Sequence, residues 1–422
     1  MKYLSSLYYI FLFVAIYSAS SEPIDLKGGQ WLTLSIVNAI FIGVILIKGK
    51  KIAINNLVAN PFLKYFGIFF IVASVSTLWA INQIESLVRL TDLFTILSTL
   101  LITTYFYINK EVNVKLILSL FSISLFLDLY ASLSQYLGII GEGNFDFSKA
   151  NNIRGFYGNK NITSAAIAFK IPLVLYLSLN LKSKLIKSLL LLIIVAAFYS
   201  IYLISARAVF VSLTLSVIFL VILYIYSLFR QKTYFNYLLV FIIPLLISLI
   251  AFNFIEGNPE ESLAIDNRID SIINNESDQS TAQRLRFYKS AFSYFVSNPI
   301  IGCGIGNWKI LSIKFESENL YSYVVPYFTH NDILEIFAET GLIGGIPFLL
   351  FLFYLFKINY KNLRLWIEED GNKNLILLTI PLIIYFVDLN LNFPLDRPSM
   401  NIYLLLYILI IQKINSEANE TN

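Results

Sequence analysis

The sequence predicts an all-α, polytopic membrane protein of about twelve transmembrane helices with one large external loop carrying short helices. Three observations carry that expectation. The chain is 57% hydrophobic and only 14% charged, with a mean hydropathy of +0.70, far too apolar for a soluble globule. Apolar runs long enough to cross a hydrocarbon core recur from end to end, and no series of alternating period-2 segments suggests a barrel. The connections between the runs alternate in basic content, as the loops of a multi-pass protein do.

The runs in order are Tyr3 to Ala19, Trp31 to Ile47, Phe62 to Ala80, Thr91 to Ile108, Val114 to Ile139, Thr163 to Asn180 and Ile186 to Ile204. They continue with Val209 to Phe229, Tyr234 to Ile255, Leu342 to Phe356 extended back through the preceding helix, Leu375 to Leu389, and Ser399 to Gln412. Lys2, a short apolar stretch and the small residues around Ser20-Ser21-Glu22 also fit a cleaved signal peptide, which leaves the remaining topology unchanged. One set of short connections is dense in lysine and arginine (Lys48, Lys50 and Lys51; Lys182, Lys184 and Lys187; Lys357, Lys361 and Arg364) and is expected to face the cytoplasm. The other set includes the long insertion Glu256 to Thr329, expected outside. The organisation is therefore 1–255 as N-terminal transmembrane helices, 256–329 as the external cap and 330–422 as C-terminal transmembrane helices.

Within the insertion, Asn258-Pro259-Glu260-Glu261 and Asn274-Asn275-Glu276-Ser277-Asp278 read as loops, and Thr281 to Val296 as an amphipathic helix ended by Asn298-Pro299. One cysteine, Cys303, excludes an internal disulfide. One cysteine with one histidine argues against a His/Cys zinc site, so no metal is expected.

That histidine, His330, lies in Thr329-His330-Asn331-Asp332-Ile333-Leu334-Glu335, which leads into an apolar run. Thr329 followed by Asp332 reads as an N-cap with an acidic capping box, and Gly341 as the end or kink of the first helical piece. His330 would then occupy the first turn, where the positive end of the helix dipole favours the neutral imidazole, able to act as a base. The bland alternative is an interfacial polar residue at the mouth of a membrane helix. Three further positions gather on the external side: Arg207 in Ser205-Ala206-Arg207, Arg284 and Arg286 on the amphipathic helix, and Arg154 with Lys160 around Gly155-Phe156-Tyr157-Gly158-Asn159. Arginine keeps its charge in low dielectric and matches phosphate oxygens in pairs, so the group suggests an anionic ligand. Singly, such arginines also snorkel to lipid headgroups.

These residues resemble the O-antigen ligase and polymerase superfamily of bacterial membrane glycosyltransferases. His330-Asn331, Leu334, Glu339, Gly341 and Gly344 fit its His-Asn-x-x-Leu-x-x-x-x-Glu-x-Gly-x-x-Gly signature, and Ser205-Ala206-Arg207 its Ser-x-Arg motif. Arg284, then Tyr288 where relatives often have Trp, then Asn298-Pro299-x-x-Gly302-x-Gly304-x-Gly306 follow its external loop, and Gly158-Asn159-Lys160-Asn161 its Gly-Asn-x-Asn element.

The resemblance implies transfer of a glycan from undecaprenyl diphosphate to a hydroxyl on lipid A core, another glycan or a protein. The enzyme would lie in the bacterial inner membrane with its site facing the periplasm. It implies His330 as catalytic base and Arg207 and Arg284 as the diphosphate clamp, with Glu339, Arg286, Asn159, Asn161 and Asn331 in support. The reaction it implies is metal-independent and inverting, with no cofactor. The lipid bilayer is an expected partner and nucleic acid is not. Two readings stand against it. In a transporter, intramembrane charges such as Arg89, Asp92, Asp128 and Lys170 would line a pathway. In a non-catalytic part of an envelope assembly machine, neither His330 nor Arg207 would be needed.

Overall fold

The computed structural model describes residues 2–18, 26–141, 145, 149–229, 235–256, 279–319, 327–368 and 373–421. The segments around Ser20-Ser21-Glu22, Asn258-Pro259 and Asn274-Asn275 lie outside them. The fold is all-α: helices dominate and no strand occurs among the described residues. Ten of the described helices are long and apolar enough to cross a membrane, as a multi-pass membrane protein requires. The first and last of the expected spans fall outside that number. α1 (Lys2–Ile16) is too short at 15 residues. The last, Pro398–Thr421, loses its apolar character after Ile411, where Gln412 and Lys413 follow.

The chain folds as two compact units, each assembled from separated stretches of sequence. The first holds Met1–Asn113, Gln279–Tyr360 and Leu389–Asn422. It contains α1, α2 (Leu26–Lys48), α3 (Ile54–Val58), α4 (Pro61–Ser76) and α5 (Gln83–Ile108). The second holds Val114–Asp278 and Lys361–Asp388, with α6 (Val114–Gly141), α7 (Lys160–Asn180), α8 (Lys184–Ile204), α9 (Arg207–Phe229) and α10 (Phe235–Glu256). The long connection carries α11 (Gln279–Ser297) and α12 (Trp308–Glu316), both in the first unit. α13 (Asp332–Glu368) begins there, α14 (Ile380–Leu391) lies largely in the second unit, and α15 (Pro398–Thr421) closes the first.

Burial follows hydropathy. In the second unit every residue of α7 from Ile162 to Ser178 is buried, so this helix forms the unit's centre. It carries a charge inside: Lys170 pairs with Asp128 of α6, and both side chains are fully buried. The Tyr157 hydroxyl also lies against Asp128, 3.1 Å from each carboxylate oxygen. In the first unit α15 is buried on all sides from Met400 to Ile411, which explains how so short an apolar stretch is stable.

The pivot of the first unit is a break in α13. Gly341 adopts φ +60° and ψ −160°, so the helix stops at Thr340 and restarts at Leu342. A helix that stops leaves carbonyls and amides without partners on either side of the break. The glycine-rich stretch 299–306 supplies them. Ala338 and Glu339 carbonyls accept from the Cys303 and Gly304 amides at 3.0 and 2.8 Å, and the Leu342 and Ile343 amides donate to Pro299 and Ile300 at 2.8 and 3.3 Å. So close a crossing requires glycine: a Cβ on Gly341 would come within 2.3 Å of the Ile300 backbone, and one on Gly302 within 2.5 Å of the Glu339 backbone. Buried Asn307 ties the same stretch to the start of α5, accepting from the Asn82 amide at 2.7 Å and donating to Ser86 Oγ at 2.7 Å.

Gly341→Ala is expected to cost about 2–4 kcal/mol, from a left-handed alanine and the overlap with Ile300. The melting temperature in detergent should fall sharply. Gly43→Ala is the control, with nothing within 4 Å of the added Cβ, and should melt as wild type or slightly higher.

Candidate functional site

α11 brings the site together because its apolar and functional residues share one stripe. Arg284, Phe287, Tyr288 and Ala291 recur at helical spacing, and Phe287 and Ala291 are buried. Ala291 packs with Trp308 of α12 and Ala338 of α13, which seats the helix on the first half of α13. Trp308 is fixed in turn by Glu339, whose Oε1 accepts from the Trp308 amide at 3.0 Å.

The Tyr288 hydroxyl lies 3.0 Å from the His330 carbonyl and 2.7 Å from the Asn390 carbonyl, a single donor between two acceptors. Tyr288 thus clamps the chain at His330, where φ is +60°, a conformation that costs a non-glycine residue about 1–3 kcal/mol and persists only when its surroundings impose it. The imidazole is fixed by two aromatic rings. Phe287 lies nearly parallel at 6.4 Å between centroids, and Phe393 meets it edge to face at 5.1 Å. Nδ1 is buried with no hydrogen-bond partner among the described residues.

The helix does not begin where the sequence suggested. Asn331 is the N-cap, its Oδ1 accepting from the Leu334 amide at 3.0 Å, and His330 precedes the cap instead of occupying the first turn. Thr329 makes no cap, and its hydroxyl is buried without a partner among the described residues. Its amide donates to Glu335 Oε2 at 2.8 Å, while Asp332 accepts from the Leu395 amide at 2.9 Å. The left-handed turn at His330 carries the chain past Thr329 and leaves Asn331 as the first side chain able to reach back. The neutral imidazole anticipated from a helix dipole has another origin. Burial, then the positive charges of Arg284 and Arg397, hold the His330 pKa down at about 4.

Arg284 is half-buried, and burial lowers its own affinity for a proton, with Tyr288 opposing. Arg286, two residues on, faces elsewhere and pairs with Glu316 at 3.5 Å. Asn331 also donates to Asn390 Oδ1 at 3.2 Å. Glu339 lies inside, bound to backbone amides and within the electrostatic reach of Arg89 and Lys309. In the second unit, Asn159 caps α7 by accepting from the Asn161 and Ile162 amides at 2.9 and 3.4 Å. Asn161, in the first turn of α7, is half-buried. Arg207 opens α9 one residue beyond Ser205, whose φ of +52° ends α8.

Arg397 and Phe393 had no motif to mark them. Arg397 is 4% exposed, lies 4.0 Å over the Phe393 ring and donates from Nε to the Phe393 carbonyl at 3.3 Å. Phe393 also stacks on Phe328 at 4.1 Å. The intramembrane charges considered for a transport path are held in ion pairs: Arg89 with Asp92 at 3.6 Å and Asp396 at 3.7 Å, and Lys170 with Asp128.

Because His330 is the chain's single histidine, its titration can be read without interference. Acylation by diethyl pyrocarbonate, followed by mass spectrometry of the His330 peptide, should proceed at a pH-independent rate from pH 8 to 5.5 and fall to half only near pH 4. A half-point near the ordinary value of about 6.5 would contradict the described environment.

The family model described as O-Antigen ligase matches residues 192–349. That span runs from within α8 into the second half of α13 and includes Arg207, Arg284, His330 and Glu339. The resemblance drawn from the motifs is thereby borne out over this segment. No curated protein matches the chain.

Proposed function

With residues 192–349 matching the O-antigen ligase family model and the chain built as a multi-pass membrane protein, we propose that it is a glycosyltransferase of the ligase and polymerase type. The donor is a glycan on undecaprenyl diphosphate. The acceptor is a hydroxyl on lipid A core, on another glycan or on a protein, and the site faces the periplasm from the bacterial inner membrane. The observation that carries the reading is a neutral imidazole held between aromatic rings beside the arginines Arg284 and Arg397.

The chemistry follows from the leaving group. A lipid diphosphate departs readily if its charge is held, so the enzyme needs a fixed cation and a base for the acceptor. Arg284 supplies the cation with a planar fork that engages two phosphate oxygens. The sequence motif extends that role to Arg207. His330 Nε2 takes the acceptor proton as the new bond from the acceptor oxygen to the anomeric carbon forms and the bond to the diphosphate oxygen breaks. The electron pair leaves with the lipid diphosphate, and attack opposite the leaving group inverts the anomeric carbon.

An imidazole of pKa about 4 is a weak base in the free protein. Burial, the larger cause of the depression, remains, but a diphosphate docked on Arg284 offsets the positive field that adds to it, so His330 gains part of its basicity as the donor arrives. Asn331, Tyr288 and Glu339 act through position: the first caps the helix, the second clamps the His330 carbonyl, and the third binds the Trp308 amide.

The test is transfer from lipid-diphosphate-linked oligosaccharide in purified membranes with a metal chelator present. Wild type should transfer despite the chelator. Arg284→Lys and Arg207→Lys should each lose about tenfold or more, since lysine keeps the charge and loses the paired hydrogen bonds. Near-normal transfer by Arg284→Lys would remove its diphosphate role, and abolition by the chelator would overturn the metal-independent mechanism.

A further inference from the structure

At the end of α7 opposite Asn159, the second unit holds a cavity of about 530 Å³, the volume of a small-molecule site. Lys115 and Leu118 of α6, Tyr176 and Leu177 of α7, Lys182 of the following turn and Ile186 of α8 line it. None of these residues takes part in the transfer chemistry.

The charge at this cavity is one-sided. Lys115 and Lys182 are exposed and make no ion pair among the described residues. No carboxylate lines the cavity. Between Asp146 and Glu256 the sequence has no acidic residue, so α7, α8 and the turn joining them offer none. The single aspartate of α6, Asp128, is held by Lys170 in the core. Lys184 and Lys187 add two further positive charges in the first turn of α8. Lys27 and Arg89 of the first unit are different, since Asp396 holds both. An anion is the fitting occupant here, and the compact charge of lysine suits a phosphate.

The apolar walls narrow the choice of anion. Leu118 and Leu177 are buried, and Ile186 is exposed at the rim. Beside it Leu185, Leu189 and Leu192 recur at i, i+4 and i+7, an exposed apolar face of a helix long enough to span a membrane. A soluble phosphate would leave those walls wet, whereas a phospholipid covers them with the carbons that follow its phosphate. The lysine-dense connections at this end are the ones expected to face the cytoplasm, and basic pockets between membrane helices on that side take anionic headgroups.

We propose that this cavity binds one anionic glycerophospholipid of the cytoplasmic leaflet, with its phosphodiester on Lys115 and Lys182 and the start of an acyl chain against Leu177 and Ile186. The lipid would join α6, α7 and α8 at their basic end, apart from the residues assigned to transfer.

The experiment reads binding, so its failure leaves the transferase reading untouched. The full chain, purified in detergent and stripped of lipid, is titrated with dioleoylphosphatidylglycerol and separately with dioleoylphosphatidylcholine, and bound lipid is counted by native mass spectrometry. One phosphatidylglycerol should bind about tenfold or more tightly than phosphatidylcholine. The double variant Lys115→Gln/Lys182→Gln should weaken that binding by about tenfold or more. Both lysines are exposed, so the variant keeps its fold. Lys48→Gln/Lys50→Gln removes the same charge from exposed positions of another basic connection and should stay within about twofold of wild type. Ile186→Trp crowds the cavity from its exposed rim without changing charge and should also weaken binding. A large excess of sn-glycerol 3-phosphate, the headgroup phosphate without chains, should leave the lipid bound.

Equal binding of the two lipids, an equal loss from Lys48→Gln/Lys50→Gln, or binding unchanged by Lys115→Gln/Lys182→Gln or by Ile186→Trp would overturn the proposal. Displacement by glycerol 3-phosphate would overturn it as well and make the cavity a site for a soluble phosphate.

Discussion

The break of α13 at Gly341 is the constraint on which the first unit depends. A straight helix would satisfy its own backbone and would have no reason to hold the long connection. By stopping and restarting, α13 exposes two carbonyls and two amides, and the stretch 299–306 bonds all four. The same stretch reaches Ser76 and Ser86 through Ile305, whose amide donates to Ser76 Oγ at 3.0 Å and whose carbonyl accepts from Ser86 Oγ at 2.6 Å. α4, α5, α11, α12 and α13 are thereby fixed to one another without an internal disulfide. His330 lies just ahead of the first piece of α13, the piece that this stretch anchors at its far end.

Electrostatics then divides the first unit into two kinds of surroundings. Around His330 burial, reinforced by the positive charges of Arg284 and Arg397, keeps the imidazole neutral. Around Asp396 the cations are matched by carboxylates, leaving oxygen-rich walls. Lipid gives no compensation to an isolated charge, so each must find a partner or a use. The buried Asp128–Lys170 pair of the second unit found a partner, joined by the Tyr157 hydroxyl, which ties the stretch before α7 to its core.

Much of the fold was legible because a bilayer admits so few solutions. An apolar run must be a helix, and its length is set by the hydrocarbon. α15 escaped that logic in part, since a helix buried within protein needs less apolar length than one facing lipid. The Arg284 stripe was readable from 3.6-residue spacing, and His330 from being alone of its kind. Its environment was not readable. Thr329 and Asn331 are both good caps two residues apart, and only the left-handed φ at His330 decides between them. Arg397, Phe393 and Asp396 sit in a short non-periodic turn whose partners are remote in sequence, as Lys27 is from Asp396 across 369 positions. No local pattern encodes such a contact. The glycines at 302 and 341 were visible as a motif, but their reason, two backbones crossing without room for a Cβ, belongs to the folded chain.

The central claim is that the neutral imidazole of His330 removes the acceptor proton. It is tested most directly by chemical rescue: glycan transfer by His330→Ala in proteoliposomes, measured with added imidazole and with an equal concentration of salt. The account predicts a loss of about 10²–10⁴-fold that imidazole restores in part and salt does not. Transfer by His330→Ala at the wild-type rate would contradict it.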